Sequence, residues 1–466
     1  MKKDPSSPAT TSDAYDYMLP SWQKVQTVLD GTRAMRAVGK TYLPQHAEES
    51  NAAYKERLAK CTLFNLTKVT LQSWVGRPFS DPIQQNDLPE PIEAIMEDVD
   101  LLGNSVHTFS QAVFSDGLAK SFSHVYVDFP RVHRDPDGTP RTLADDAAEN
   151  LRPYWVHIRP EQLFFADAEI IDGKEVLREI RFWEEGEERD GFATVTVTQI
   201  RRVYMGLVAA EGEEPMEKGI VEIYRPEKKK TRGKVRWVKV ETYTFDFDEI
   251  PLVTFYADRC EFMKGVPPLE DLADLNIAHW QSTSDQRAIL TVARFPMLAL
   301  SGGVDDDKAL TIGPYKWLWS PDPQAKFYYV EHEGKAIKAG AEDLSALEEQ
   351  MAEYGAEFLR KKPGNMTATA RALDSAEATS QLQDVTLRFM HALNRIVDLT
   401  AKWLKIENNG DLAISTDFGP EELNAADLQT LINARKMRDI SRKAFLDELK
   451  RRGLLADDFD EEKDAQ

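Results

Sequence analysis

The sequence predicts an α+β fold in which helical segments flank a block of mostly antiparallel strands. Three observations carry that expectation. Between Phe122 and Tyr256, short alternating β-branched and aromatic stretches are separated by turn signals such as Asp135-Pro136-Asp137-Gly138, Asp172-Gly173 and Arg232-Gly233. Before and after that block, apolar residues recur at helical spacing. Within the later helical part, Ala341–Leu359 sets an apolar stripe against a row of carboxylates.

Taken in order, residues 1–20 are polar and rich in Ser, Thr and Pro, and read as a flexible N-terminal arm. A short helix is expected from Trp22 to Val38, ended by Gly39. Glu48–Val75 reads as one helix buried on most sides, through Leu58, Leu63, Phe64, Leu66, Val69, Leu71 and Trp74, with Gly76 and Pro78 as its stop. A further helix fits Pro91–Lys120, interrupted near Gly103. Strands are expected at Ser123–Phe129, Tyr154–Ile158, Val176–Trp183, Thr194–Met205, Ile220–Tyr224, Val235–Phe247 and Leu252–Tyr256. The acidic stretch Glu184–Asp190 reads as a solvated hairpin tip or loop between two of them.

Past Pro267-Pro268 the helical pattern returns, from Leu269 to Phe295. A strand-like interlude carries Tyr315, Trp317, Trp319, Phe327, Tyr328 and Tyr329. Then come the helix Ala341–Leu359, a Gly/Pro/Thr break at Lys361–Thr367 and a long helix, Leu373–Leu404, striped by Leu382, Val385, Phe389, Ala392, Ile396 and Trp403. Strand-like Leu412–Asp417 precedes two C-terminal helices. Ser441 is placed to cap the last, with Phe445 and Leu449 inside and Gly453 closing it. The acidic tail 457–466 follows. No internal repeat occurs.

Bulk properties narrow the function classes. At 466 residues and 42% hydrophobic, the chain can bury two or more cores and is not disordered throughout. Its formal charge of −21 is opposite to the basic footprint of a DNA-binding domain, so any contact with nucleic acid is local or works by repulsion. No apolar region follows Lys2-Lys3, which argues against a secretory signal, and no run reaches bilayer length; no membrane partner is expected. Cys61 and Cys260 form no CxxC pair and read as buried small residues in a reducing compartment.

Catalytic motifs are absent. There is no GxxxxGK[ST], GxGxxG, GxSxG or HExxH. Asp305-Asp306-Asp307 and Asp135-Pro136-Asp137-Gly138 lack the full spacing of a calcium loop and read as turns. His124 and Asp128 share a strand face, a placement that points to hydrogen bonding. No catalytic, metal or cofactor residue is expected. A carboxylate-dependent enzyme acting on carbohydrate or nucleic acid, with a large β domain, stays open as the alternative, since some Asp and Glu must approach one another in space.

The most informative segment is Ala341–Leu359. Leu344, Leu347, Met351, Tyr354 and Phe358 fall on one narrow stripe, and Glu342, Glu349, Glu353 and Glu357 on the opposite side. Such a helix is either a surface helix with a solvated acidic face or a pore-lining helix whose carboxylates repel a phosphate backbone. The following loop carries Arg360, Lys361, Lys362, Asn365 and Arg371, either as a plain connection or as cationic and polar contacts for passing DNA.

The order of parts resembles tailed-bacteriophage portal proteins. Stretches similar to one portal family, formerly filed under an unknown-function heading, are Tyr42-Leu43-Pro44, Leu63-Phe64-Asn65 through Gly76-Arg77-Pro78-Phe79, Arg159-Pro160-Glu161, Pro268-Leu269-Glu270-Asp271-Leu272 through Ser284-Asp285-Gln286-Arg287, and Arg294-Phe295-Pro296. The resemblance implies a wing (21–266), a first stem helix (267–295) and a clip (296–340). It continues with a second stem helix (341–360), a tunnel loop (361–372), a long helix returning to the wing (373–420) and a crown of helices (421–456). It makes Glu342, Glu349, Glu353 and Glu357 channel-lining and Arg360, Lys361, Lys362, Asn365 and Arg371 tunnel-loop contacts. Trp317, Trp319, Phe327, Tyr328 and Tyr329 become the clip that docks the head–tail adaptor. It further implies a virion protein working as a ring of twelve subunits that conducts double-stranded DNA. Its partners would be terminase, adaptor, major capsid protein and scaffold. It implies no cofactor and no ATPase of its own. Another ring-forming virion protein, such as a head–tail connector, is a third reading.

Overall fold

The computed structural model describes residues 3–130, 151–208, 215–227, 235–294, 297–301, 323–324, 326–330, 335–355, 368–407, 409–416, 432–433, 435–437 and 441–451. Its elements follow in chain order as α1 (Asp13–Leu29), α2 (Thr32–Val38), a 3-10 turn (Gly39–Thr41), α3 (Asn51–Lys60), α4 (Leu66–Gly76), β1 (Gln84–Asn86), α5 (Glu90–Met96) and α6 (Val106–Lys120). Next are β2 (Phe122–Asp128), β3 (Tyr154–Ile158), β4 (Leu163–Ile171), β5 (Lys174–Asp190), β6 (Ala193–Val208), β7 (Met216–Pro226), β8 (Trp237–Phe245) and β9 (Leu252–Tyr256). The remainder is α7 (Glu270–Ala293), β10 (Met297–Ser301), β11 (Lys326–Val330), α8 (Lys335–Gly355), α9 (Ala368–Leu404), β12 (Asp411–Ala413) and α10 (Arg442–Arg451). The fold is α+β, with antiparallel sheets.

The chain divides into two compact units, the first made of Met1–Gln23, Thr70–Glu270 and Phe358–Gln466, the second of Lys24–Val69 and Asp271–Glu357. In the first, β4–β8 form a five-stranded meander in sequence order, and β3-β2-β9 form a second sheet. Alternation turns Ile180 and Phe182 of β5, Val203 of β6, and Val221 and Ile223 of β7 into a core shared with Tyr126, Ile158 and Leu252 of the smaller sheet. A second aromatic core joins Phe79, Phe114 of α6, Phe255 of β9 and Phe389 of α9, with Phe255 and Phe389 ring centroids 4.9 Å apart. Gly117 permits this approach. A Cβ there would sit 2.4 Å from the Phe255 ring.

The flexible arm expected over residues 1–20 is a helix from Asp13 onward. Met18 and Trp22 are buried against Phe122, Ser12 N–H donates to the Phe164 carbonyl, and Trp22 Nε1–H donates to the Lys120 carbonyl at 2.9 Å. Pro20 lies inside that helix instead of stopping it, and Gly31, at φ 81°, makes the break before α2. The single helix expected over Glu48–Val75 is two, because α3 ends at Cys61, in extended conformation, Cys61–Asn65 is not helical, and Ser50 caps α3 through Ala53 N–H. Strand β4 was not expected: Leu163-Phe164-Phe165-Ala166-Asp167 lacks strict alternation. Glu184–Asp190 is the end of β5, closed by a turn at Gly191, φ 63°.

In the second unit, α7 is fastened to residues 42–67. Thr67 N–H and Oγ1–H both donate to Asn276 Oδ1, and Asn276 Nδ2 returns a bond to the Phe64 carbonyl. Cys61 is buried as expected and its thiol is pushed up to about 11 by that burial. Cys260, expected buried, is exposed. Arg57 spans Glu49, the Pro44 carbonyl and Ser284 at 2.8 to 3.1 Å and holds the Glu49 carboxyl down at about 2.

Candidate functional site

The acidic helix singled out in the sequence is α8, and its partner is α7. Their contacts step in antiparallel register from one end to the other. Tyr354 O–H donates to Asp271 Oδ2 (3.0 Å), His279 Nε2 meets Glu348 Oε1 (3.2 Å), Ser282 O–H donates to Asp343 Oδ2 (2.6 Å), and Gln286 Nε2–H donates to the Ile337 carbonyl (2.8 Å). Gly340 lets Gln286 lie directly against the helix backbone, where a Cβ would stand 2.2 Å from its amide oxygen. Met351 is fully buried, Leu344 and Leu347 are half-buried and Tyr354 is partly exposed.

At about 100° per residue, Glu342, Glu349 and Glu353 lie within about 20° of the direction opposite Met351. All three are exposed, as the stripe reading expected. Two other acids, Asp343 and Glu348, turn inward to Ser282 and His279 and leave the outer face. The helix also starts six residues earlier than expected, since Gly340 reads as a break in sequence but sits inside α8. This extension adds Lys338 to the outer sector, 3.7 Å from Glu342. The outer face is thus cationic at its start and anionic along the rest of its described length. Glu357 and Phe358 lie outside the described residues.

Beyond α7 and before α8, β10 and β11 pair as an antiparallel hairpin, with Leu298 opposite Tyr329, Ala299 opposite Tyr328 and Leu300 opposite Phe327. Tyr328 is exposed. Tyr315, Trp317 and Trp319 lie outside the described residues, as do Arg360, Lys361, Lys362 and Asn365. Arg371, expected in the loop, falls within helix α9. In that helix Leu382, Phe389 and Ile396 are buried and Val385, Ala392 and Trp403 half-buried. Among the described side chains of α10, Phe445 and Leu449 are half-buried and Leu446, one position after Phe445, is buried.

Sequence reasoning missed the ionic knots of the β region. Arg201, buried on β6, donates to Asp128 and to Glu184, and Tyr154 O–H donates to Asp128 Oδ2 at 2.9 Å. Burial and the Asp128 charge push the Tyr154 phenol up. The hydrogen-bonding role expected for His124 and Asp128 is what they have: His124 Nδ1 meets Thr254 Oγ1 at 2.9 Å. On the other sheet face Glu179 lies between Arg181 and Arg202, and Glu222 between Arg202 and Lys239. Alternating charges on facing strands were the signal available in sequence, but register was needed to use it.

One constellation brings together a serine, a histidine and an aspartate. His157 Nε2 stands 2.8 Å from Ser123 Oγ and 3.4 Å from Asp116 Oδ2. Both partners address the same ring nitrogen, whereas a nucleophilic triad needs the acid on the other one. Ser123 is fully buried, and burial pushes His157 down to about 4. A cavity of about 10 Å³ between Tyr15, Trp22, Phe122 and His124 has room for about one water. Among the described residues no group of three His, Cys, Asp or Glu is arranged to hold a metal, and no helix is long and apolar enough to cross a membrane.

The family model described as "Domain of unknown function (DUF4055)" matches residues 268–404. That stretch contains α7, the β10–β11 hairpin, α8 and α9. No curated protein matches the chain. Among solved structures, a chain of the virion of a native gene transfer agent (GTA) particle is 11% identical, over 86% of this chain and 93% of that one, with a TM-score of 0.40. A chain from the neck of a native GTA particle computed with C12 symmetry is 10% identical, over 88% and 96%, at 0.40. One from the neck of an empty GTA particle computed with C6 symmetry is 10% identical, over 85% and 87%, at 0.38. These scores are too low to carry a functional conclusion, which rests on the chain's own residues.

Proposed function

We propose that the chain is a portal subunit, assembling as a ring of about a dozen copies around a channel for double-stranded DNA at the capsid vertex of a virion. The observation that supports this best is the antiparallel pair α7 and α8. It is packed along one stripe, closed at one end by the β10–β11 hairpin, and exposes Glu342, Glu349 and Glu353 opposite the packed side. Repeated around a ring, that face presents negative charge to a phosphate backbone and lets it slide without adhering.

In this reading α7 and α8 are the stem, the hairpin with Phe327, Tyr328 and Tyr329 and the segment with Trp317 and Trp319 form the clip, and α9 backs the channel. Arg360, Lys361, Lys362 and Asn365 supply the DNA-contacting loop, and Arg371 stands at the start of α9. Terminase supplies the motor. Capsid protein, scaffold and a head–tail adaptor are the remaining partners. The chain serves in genome packaging, retention and ejection.

The test is the mass of the purified full chain by light scattering, with negative-stain images. Closed rings of about a dozen subunits with a central hole are expected. A chain that stays monomeric at high concentration and with scaffold present would sink the proposal.

A further inference from the structure

The five-stranded sheet of the first unit is not evenly paired. β4 accompanies β5 only as far as Phe182, and β7 accompanies β6 only from Ile200. Beyond those points β5 and β6 continue alone for seven further pairs, from Glu184 opposite Gln199 to Asp190 opposite Ala193. At about 3.3 Å per residue this is a free two-stranded ribbon about 20 Å long, a form marginal in water without a further strand.

Its two outer edges differ. The β5 edge carries Glu185, Glu187, Glu188 and Asp190, charges of the kind that protect a strand edge from pairing. The β6 edge, Thr194-Val195-Thr196-Val197-Thr198, has no charge, proline or glycine, and Thr194, Val195, Thr196 and Thr198 are exposed. That composition invites strand addition.

The sheet has a matching vacancy at its far side. Its β4 border is met by the N-terminal segment, where Ser12 N–H donates to the Phe164 carbonyl and Arg181 reaches the Pro8 and Thr10 carbonyls. Its β8 border, among the described residues, pairs with no strand beyond β7. β8 is nine residues long, contains neither Pro nor Gly, and exposes Val238 and Val240. The ribbon holds five acids and one base between residues 184 and 190, while β8 carries Lys239 and Glu241 and its approach Arg236, so the acidic ribbon meets a border without net negative charge.

We infer that β6 of one copy, at Thr194–Thr198, adds as a strand to the open β8 edge of a second copy of this chain. The two edges are different surfaces, so the contact is heterologous and propagates from copy to copy, closing a ring where the rotation allows. The inference rests on the ring reading for its biological setting but not for its test.

The experiment uses the full chain with its exposed thiol removed, Cys260→Ser, and Cys61 left buried. Thr196→Cys is made in one preparation and Val240→Cys in another, both at exposed positions that leave the fold unburdened. Under mild oxidation the mixture is expected to form a disulfide between the two kinds of copy, and neither preparation alone to form one with itself. Val240→Cys coupling to itself would mean a two-fold edge pair and overturn the inference. So would rings, seen by microscopy, in which the mixed disulfide never forms, and these would leave the portal reading standing. Mixed disulfides in open chains without a central hole would uphold the strand addition and sink the ring. A monomer without disulfides would sink both.

Discussion

Reversing the charge of the outer face of α8 tests the channel reading most directly. We predict that Glu342→Lys, Glu349→Lys and Glu353→Lys together convert a sliding wall into a binding one. All three carboxylates are exposed, and an exposed ion pair such as Lys338–Glu342, at 3.7 Å, contributes at most about 1 kcal/mol. Folding and assembly should therefore survive. Each substitution adds two charges, taking the chain from −21 to −15.

Along α8 the three positions span about 16 Å at about 1.5 Å per residue, enough to meet about three to five phosphates of one strand. If three phosphates are neutralised, the logarithm of DNA affinity should fall about 2.7 per tenfold rise in salt, or about 40-fold between about 50 and about 200 mM. The assay is retention of linear double-stranded DNA by assembled protein across a salt series, beside the parent. A variant that assembles normally yet binds DNA with the parent's affinity and salt slope would refute a lumen-facing role for these residues.

Three further outcomes concern the scaffold that holds the site. Arg201→Met leaves Asp128 and part-buried Glu184 without their shared cation, so it should cost about 3–5 kcal/mol near neutral pH in urea unfolding. A loss below about 1 kcal/mol would show that the knot is not structural. Gly219→Ala would bring a Cβ to 2.0 Å from the Phe245 ring, and should destabilise by about 1–3 kcal/mol; Phe245→Leu in the same chain should recover most of that loss. Finally, Glu49 is held at about 2 by Arg57, below the ordinary 4.5, so the stability it adds is complete above about pH 4.5 and drains away as pH falls toward 2. Urea midpoints of Glu49→Gln and the parent should differ at neutral pH and converge at the acid end; a constant gap would contradict the assignment.

How much of this was legible follows from which forces are local. The α8 stripe was, because helical spacing alone sorts Leu344, Leu347 and Met351 from Glu342, Glu349 and Glu353. Strands β2, β3 and β9 fell within about a residue of their expected bounds, since β-branched runs between turn residues suffice for short strands. The failures come from tertiary override. Pro20 and Gly340 look like breaks and are absorbed into helices packed on one side. Cys61–Asn65 carries no breaker yet is pulled out of helix by Asn276 and Thr32, which bond its backbone. β4 needs the register of β5 before Leu163–Ile171 makes sense as a strand. Asp343 and Glu348 could not be told from the outer glutamates without Ser282 and His279 opposite them.

The placement of charge links the parts. A chain of −21 still keeps its buried ionic groups matched: Asp128 and Glu184 share Arg201, and Glu179 and Glu222 alternate with Arg181, Arg202 and Lys239. Matched groups inside contribute little net field outside, so among the described residues the surplus of acid lies at surfaces. Two such surfaces are the outer side of α8 and the β5 edge of the projecting ribbon. In a ring the same excess serves both: at the stem it repels a phosphate backbone, and on the ribbon it blocks one strand edge so that only the uncharged edge is free to pair. Neutralising the ribbon acids should thus disturb how copies join while leaving DNA passage untouched, and reversing the α8 acids should do the converse.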